Sequence, residues 1–403
     1  MAQKLELLAP AGNMEKAKVA IAFGADAIYV GGKEYSLRAS AGNFTLDELS
    51  SLVEYAHNAQ VKVYVAVNSL MHNEELAGLP KYLRALQKIG ADAVIFADPA
   101  VYSIAKDAAP DLALHISTQA SVTNWRTVQF WESAGIQRVI LARELSLREI
   151  KEIRARVDVE LETFVHGAMC ISYSGRCLLS NYMTGRDANR GQCAQSCRWR
   201  YALVEEKRPG HYYPIMEDAQ GTYILNSKDL NMLAHIPAMA GAGIGSLKIE
   251  GRMKSVYYVG VVVKAYRAAI DAFHADPVGY QVQEDWLDEL DKVSHRPYTT
   301  GFYFGPPGPK GQFYESGGYI RQYDFVGILP ENGSGKAKIA VRNRIRQHDK
   351  LELVTPTGCF EFAVETIWDG DGVVLSEAHA NQEVYIKLPH EAPIFSMVRR
   401  KKD

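Results

Sequence analysis

Cys170, Cys177, Cys193 and Cys197 are four of the chain's five cysteines and stand within one short window, separated by six, fifteen and three residues. Two closely spaced cysteine pairs are the usual mark of a structural zinc site. Here only Cys193 and Cys197 are that close. Four thiolates in a loop-rich segment also suit an iron–sulfur cluster, whose ligand spacings vary more. Gly167, Ser174, Gly175, Gly185 and Gly191 would let the backbone fold around such a group, and His166 stands directly upstream as a substitute ligand. The competing reading is four unrelated thiols, some buried as small hydrophobes. Ligand softness favours a metal site, and the spacing a cluster over zinc. Cys359 lies far away in an expected turn and reads as an incidental thiol.

The same window is basic. Arg176, Arg186, Arg190, Arg198 and Arg200 accompany the cysteines, with Asp187 as the one acid from Cys170 to Arg200. A second basic run, KAKIAVRNRIRQHDK at residues 336–350, holds six basic residues and one acid. Strand alternation would put Arg342, Arg344 and Arg346 on one face. Such a stripe, in a chain of net charge -2, is a candidate track for RNA phosphates. A charged edge strand that resists aggregation is the plainer alternative. Tyr173, Tyr182 and Trp199 are candidates to stack on an extruded base.

These residues need a scaffold. Over the first 250 residues, short aliphatic runs alternate with amphipathic stretches. Strands are expected at 5–8, 27–30, 61–67, 93–96, 112–116, 138–141, 160–165 and 246–249, with helices such as 46–58, 76–89 and 146–156 between them. Thr45 with Glu48 forms a capping box for the first of these helices. GADAIYVGG and GADAVIFADP are near-copies of one helix-end-to-strand unit. Eight such strands predict an α/β fold, a (β/α)8 TIM-like barrel over residues 1–275, with a doubly wound open sheet as the alternative. The spacing breaks once, after strand seven. A cysteine-rich insertion at 167–225 follows, and topology puts it at the C-terminal face where such barrels carry their sites. Residues 276–325, rich in Gly, Pro and Tyr, read as a linker segment. Short alternating runs over 326–403 predict a small C-terminal antiparallel β-barrel domain with possible RNA binding.

Residues at expected strand ends are the candidates for chemistry: Arg38, Asn68, Asp98, Arg143, Glu144, His166, Lys248, Glu250 and Arg252. Arginines at a barrel mouth can grip a small dicarboxylate bidentately. Of these, Arg143, His166, Glu250 and Arg252 are taken as catalytic. Internal ion pairing is the alternative for Arg143 with Glu144 and for Glu250 with Arg252. Glu162 is expected to point inward as a paired structural carboxylate. No serine-elbow or zinc-protease motif occurs in the sequence. His115 and Ser117, two apart on one strand, read as strand-end residues rather than a base and nucleophile.

At 403 residues, 47% hydrophobic and 23% charged, the chain suits a soluble globular protein with a large core. No uninterrupted apolar run has membrane-spanning length. A cytoplasmic protein with reduced thiols is expected.

Glu162-x-Phe164-x-x-Gly167-Ala168-x-Cys170 followed by Gly175-x-Cys177-x-x-Ser180 resembles the signature of the collagenase-like U-type peptidase family. The similarity extends to LLAPAG at 7–12, LKIEGRMKS at 247–255 and HRPYTTGFY at 295–303. The resemblance implies oxygen-independent hydroxylation. Family members include tRNA, rRNA and ubiquinone-pathway hydroxylation proteins. The tRNA branch implies 5-hydroxyuridine at the wobble position, with prephenate as co-substrate and a redox partner the sequence leaves unknown. The ubiquinone-pathway relatives imply a 4Fe-4S cluster, whose pattern Cys170, Cys177 and Cys193 match directly. The fourth ligand varies within the family, and Cys197 is its candidate here. A metal-dependent or cysteine peptidase and a zinc-stabilised scaffold remain the alternatives.

Overall fold

The computed structural model describes residues 4–36, 42–170, 172, 177–198, 217–218, 221–222, 227–307, 311 and 319–402. Arg38, Tyr173, Ser174, Gly175, Arg176, Trp199 and Arg200 lie outside the described residues.

Seven parallel strands open the chain: β1 (Glu6–Pro10), β2 (Ala27–Gly31), β3 (Lys62–Val67), β4 (Ala93–Phe96), β5 (Ala113–Ile116), β6 (Arg138–Ile140) and β7 (Glu160–Ala168). Helices α1 (Met14–Ala22), α2 (Leu46–Asn58), α3 (Leu79–Lys88), α4 (Pro99–Ala108), α5 (Trp125–Ser133) and α6 (Leu147–Arg154) alternate with them. Short polar side chains start most of these helices. Asn13, Asp98, Asn124 and Ser146 each accept a first-turn N–H, and Thr45 with Glu48 forms the expected reciprocal cap. Past β7 come the short helix α7 (Leu179–Thr184), a hairpin of β8 (Glu217–Asp218) and β9 (Gly221–Thr222), then β10 (Asp229–Asn231), α8 (Ile236–Gly241) and β11 (Ser246–Ile249). β11 pairs in parallel with both β1 and β7, which closes the eight-stranded barrel that the alternation predicted. Its strands are buried on both faces, as an enclosed parallel sheet requires.

β7 runs longer than its neighbours. Its register against β11 slips between Lys248 and Ile249, and β10 then pairs antiparallel with residues 166–168. The slip re-aims the end of β7 away from the barrel wall, as bulges do. The insertion therefore leaves and returns on one polypeptide ladder at the C-terminal rim.

The segment expected as a linker is part of this unit instead. Helix α9 (Val256–Ala275) is followed by α10 (Glu284–Asp291), and β12 (Tyr298–Thr299) pairs in parallel with β10. Leu290, Val293 and Tyr303 enter the barrel's core, and the Tyr303 hydroxyl donates to the Phe164 carbonyl. Among the described residues there, Tyr303 is in the barrel core and Tyr280 and Tyr298 pack against it, unlike a free tether.

The C-terminal domain is an antiparallel sheet built from β13 (Tyr323–Ile328), β14 (Lys336–Val341), β15 (Ile345–Arg346), β16 (Lys350–Val354), β17 (Cys359–Ala363), β18 (Ile367–Trp368), β19 (Val374–Leu375), β20 (Glu377–Ala378), β21 (Glu383–Lys387) and β22 (Met397–Lys401). The main sheet runs β17-β16-β22-β13-β14-β21-β18-β19, with β15 and β20 as a separate pair. Val326, Ile339, Leu353, Ile386 and Val398 are among its own core residues. Against the barrel it buries Arg399, 0% exposed, whose guanidinium meets Glu289 of α10 and Glu352 of β16. Tyr257 stacks on Phe325 across the same junction, with centroids 5.6 Å apart.

Candidate active site at the barrel mouth

The barrel interior is wired by charge. Arg138 on β6 reaches Glu6, Glu160 and Glu162, and Lys248 on β11 donates to Glu162 at 2.7 Å. Glu162 is 0% exposed, the paired inward carboxylate that was expected. Burial opposes the Arg138 charge, but the carboxylates of Glu162 and Glu6 outweigh it and hold the guanidinium protonated. Burial lowers the Lys248 ammonium from its ordinary value, with Glu162 pulling it back. This network ties together the N-terminal parts of β1, β6 and β7, with Lys248 reaching it from β11, and so lies below the mouth.

Above it, Gly167 is the pivot. Its φ of +102° lies where L side chains are strained, and a Cβ there would stand 2.5 Å from the Glu250 carbonyl oxygen. Only glycine lets β7 pass this close to the end of β11. The crossing brings Ala168, Met169 and Cys170 to the spaces at the mouth that Glu250 also lines.

An inner cavity of about 160 Å³ occupies the mouth. All four clustered cysteines line it, together with Asn68, Arg143, Lys248, Glu250 and Arg252. A larger cleft of about 650 Å³ runs outward from it. Cys170, Cys193, Cys197, Arg143 and Glu250 line both spaces and so form the partition between them. The insertion's own turns hold these thiols in place. Asn189 donates from Nδ2 to the Cys177 carbonyl at 3.0 Å, and the Ser180 hydroxyl accepts from the Ala194 N–H at 2.9 Å.

The four thiols are soft donors of the kind that an iron–sulfur cluster or a zinc ion takes. Among the described residues, no three His, Cys, Asp or Glu side chains stand together as ligands of one ion. An iron–sulfur cluster binds each cysteine through a different iron and spreads its thiolates more widely. Four such donors line one cavity here.

The predicted catalytic residues divide. Arg143, Glu250 and Arg252 converge at the inner cavity. Arg143 lies over the Phe164 ring at 3.9 Å, donates to the Ala168 carbonyl at 2.9 Å and stands 3.9 Å from Glu250. Its Nε is buried without a hydrogen-bond partner among the described residues. The Glu250 carboxylate also accepts from the Tyr29 hydroxyl, and Arg252 donates to Ser36 and Asn43. His166 lies elsewhere, 1% exposed inside the wall and ringed by Tyr258, Tyr266 and Tyr298. Burial lowers its imidazole to about 3, against a smaller opposing pull from the Asp229 carboxylate. The ring is therefore neutral at ordinary pH, and it lines neither space. His115 is also buried, edge-on to Tyr64, and is held well below its ordinary pKa by burial and the Arg138 charge. Asp98 caps α4 and accepts from the Met71 N–H. Tyr182 is 86% exposed on α7.

The expected arginine stripe is not formed. β14 ends at Val341, because the N–H groups of both Arg342 and Asn343 turn to the Val326 carbonyl and break the alternation. Arg342 pairs with Glu15, Arg346 in β15 pairs with Glu377, and Arg344 lies between strands. Cys359, expected in a turn, begins β17 with its Sγ 3.1 Å from Lys264 Nζ.

Lys254, Tyr319, Arg321 and Tyr323 also line the outer cleft and had not been singled out. Lys254 belongs to the LKIEGRMKS stretch, which was its one available signal.

Comparison with known proteins places these features in a family. The profile of Peptidase family U32 matches residues 12–312, and that of the Peptidase family U32 C-terminal domain matches residues 321–399. The chain is 44% identical to tRNA hydroxylation protein P1 of Bacillus subtilis, over 99% of this chain and 96% of that one. It is 38% identical to tRNA hydroxylation protein P of Escherichia coli, over 96% and 94% respectively. It is 34% identical to the 23S rRNA 5-hydroxycytidine C2501 synthase of Escherichia coli, over 90% of this chain and 54% of that one. Among the described residues no helix is long and apolar enough to cross a membrane. The barrel, its cysteine-bearing extension of β7 and the C-terminal sheet are thus those of a recognised lineage, and the chain belongs to Peptidase family U32.

Proposed function

We propose that this protein hydroxylates a pyrimidine base of RNA, with tRNA as its substrate and the wobble uridine as the acceptor, giving 5-hydroxyuridine without molecular oxygen. The observation that carries the reading is the convergence of Cys170, Cys177, Cys193 and Cys197 on the cavity at the barrel's C-terminal mouth. The named activities of relatives that match nearly the whole chain support it.

In this reading the four cysteines hold a 4Fe-4S cluster, which supplies one-electron redox chemistry when bound. Arg143 and Arg252 present guanidinium groups to a carboxylate co-substrate such as prephenate at the inner cavity. The low-dielectric wall strengthens that attraction. Glu250, bridged to Arg143 and Tyr29, orients the Arg143 fork and moderates its charge. The neutral His166 stiffens the wall beside Gly167 and exchanges no proton near neutral pH.

Peptidase chemistry fits less well. Among the described residues, both candidate bases, His115 and His166, are buried against aromatic rings.

Nucleoside mass spectrometry of tRNA from cells lacking the protein tests the proposal. Loss of 5-hydroxyuridine-derived nucleosides is expected, restored by the native chain but not by Cys170→Ser. An unchanged nucleoside profile would reject the RNA reading. A colourless protein with one tightly held zinc, after anaerobic preparation, would reject the cluster.

A further inference from the structure

The outer cleft has a charge pattern that the inner cavity does not share. Six ionised side chains line it: Arg143, Lys254, Arg321, Lys402, Glu250 and Asp324. Lys402 pairs with Asp324 at 3.2 Å, and Arg143 stands 3.9 Å from Glu250. Lys254 and Arg321 have no carboxylate in ion-pair reach among the described residues. The cleft is therefore net positive in a chain whose overall charge is -2.

One residue brings the two cations together. Lys254 Nζ donates to the Ser294 carbonyl at 3.0 Å, and Arg321 Nε donates to the Ser294 hydroxyl at 3.3 Å. Lys254 also lies under the Tyr319 ring, 4.0 Å from its centroid. Lys254 also hydrogen-bonds Tyr319, so among the described residues the uncommitted donors are chiefly those of the Arg321 guanidinium. Tyr323 and the stacked Tyr257–Phe325 pair also line the cleft, on the junction with the C-terminal domain. Paired cations beside aromatic walls match a ligand that is part phosphate and part flat ring. At about 650 Å³ the cleft falls within the size range of ordinary ligand sites.

We infer that the outer cleft seats the acceptor nucleotide of a single-stranded RNA segment, with its phosphate on Lys254 and Arg321 and its base directed toward Cys170, Cys193 and Cys197. This inference rests on the proposed RNA substrate and names where that substrate binds. The route is continuous, because those three cysteines line both the cleft and the inner cavity. It also gives the C-terminal domain a function. β13 supplies Tyr323, Asp324 and Phe325 to the cleft, and Lys402 follows β22, so neither domain alone completes the seat. Phosphate contact thus falls on Lys254 and Arg321 instead of on Arg342, Arg344 and Arg346, of which two are held by Glu15 and Glu377.

The test is tRNA binding by the purified full chain across a potassium chloride series. Arg321→Gln, a change at an exposed side chain, should flatten the log–log slope by about 0.7 to 0.9. Adding Lys254→Gln should roughly double that change, while Lys254→Arg should restore it. Wild-type iron content and melting temperature in Arg321→Gln would show that the fold is intact. Wild-type affinity and slope in the double variant would overturn the assignment. So would a slope that falls only in the Arg342, Arg344 and Arg346 triple glutamine variant. Failure of the native chain to bind any tRNA would instead remove the RNA reading on which the assignment stands.

Discussion

Gly167→Ala should damage this protein far beyond the loss of one hydrogen's worth of space. Two costs are separable. The first is backbone strain, because φ is +102° at this position. Holding an L residue in such a region costs about 1–3 kcal/mol. The second is the collision, because the new Cβ would lie 2.5 Å from the Glu250 carbonyl oxygen and 3.0 Å from its Cβ. A backbone atom cannot swing aside as a flexible side chain does, so β7 or β11 must shift. Overpacking of this kind costs about 1–3 kcal/mol more. Gly185→Ala is the internal control: φ there is +68°, and nothing lies within 4 Å of the added Cβ. It carries strain without collision. Differential scanning calorimetry of both variants should therefore show Gly167→Ala less stable by a total of about 2–6 kcal/mol. A fall in melting temperature of roughly 3–9 °C follows for a cooperative unit of about 300–400 residues. Gly185→Ala should lose about half as much or less. Because the displaced segment carries Cys170, iron retained after anaerobic purification should fall in Gly167→Ala in parallel. Equal melting temperatures for the two alanine variants would refute the claim that a close backbone crossing positions the cysteine segment.

Arg399→Met should destabilise the chain by about 3 kcal/mol, measured by urea unfolding, because it removes the buried cation between Glu289 and Glu352 and leaves them only the partly exposed Lys292. Glu289 and the buried histidines His115 and His166 contribute to the acid limit. Burial raises the Glu289 carboxyl, but Arg399 outweighs it and holds the group down at about 2, below the ordinary 4.5. Its stabilisation is present above the unfolded value and is lost as pH falls through about 2, a contribution on the order of 3 kcal/mol. Burial depresses His166 to about 3 from 6.5, so the unfolded chain takes up that proton first. Stability should therefore decline from about pH 6.5 down to about pH 3, and His166→Phe should flatten that part of a pH–stability curve. Cys359→Ser should leave bound iron unchanged, since Cys359 stands beside Lys264 at the domain junction, whereas serine at Cys170, Cys177 or Cys193 should abolish it.

Local pattern was enough for the barrel, because alternating strand and helix periods are properties of short segments. The cysteine insertion's place followed from topology, since whatever leaves the seventh strand of such a barrel emerges at its mouth. Thr45 with Glu48, and Glu162 as a buried paired carboxylate, were likewise legible from neighbours in sequence or from strand phase. The partners that complete the site were not. Glu162 is held by Arg138 and Lys248 from two other strands, and Lys254 meets Arg321 only through Ser294. Alternation also failed where the backbone bent. The Val326 carbonyl took two consecutive N–H groups and ended the strand that would have aligned the three arginines. His166 looked like a ligand because it precedes the cysteines, yet the register slip between β7 and β11 buries it among tyrosines. Short-range periodicity determines which elements form and in what order. Which charges are cancelled, which are left facing a cleft, and which domain edge closes over the mouth depend on contacts between residues far apart in the chain, and those exist only once the chain has packed.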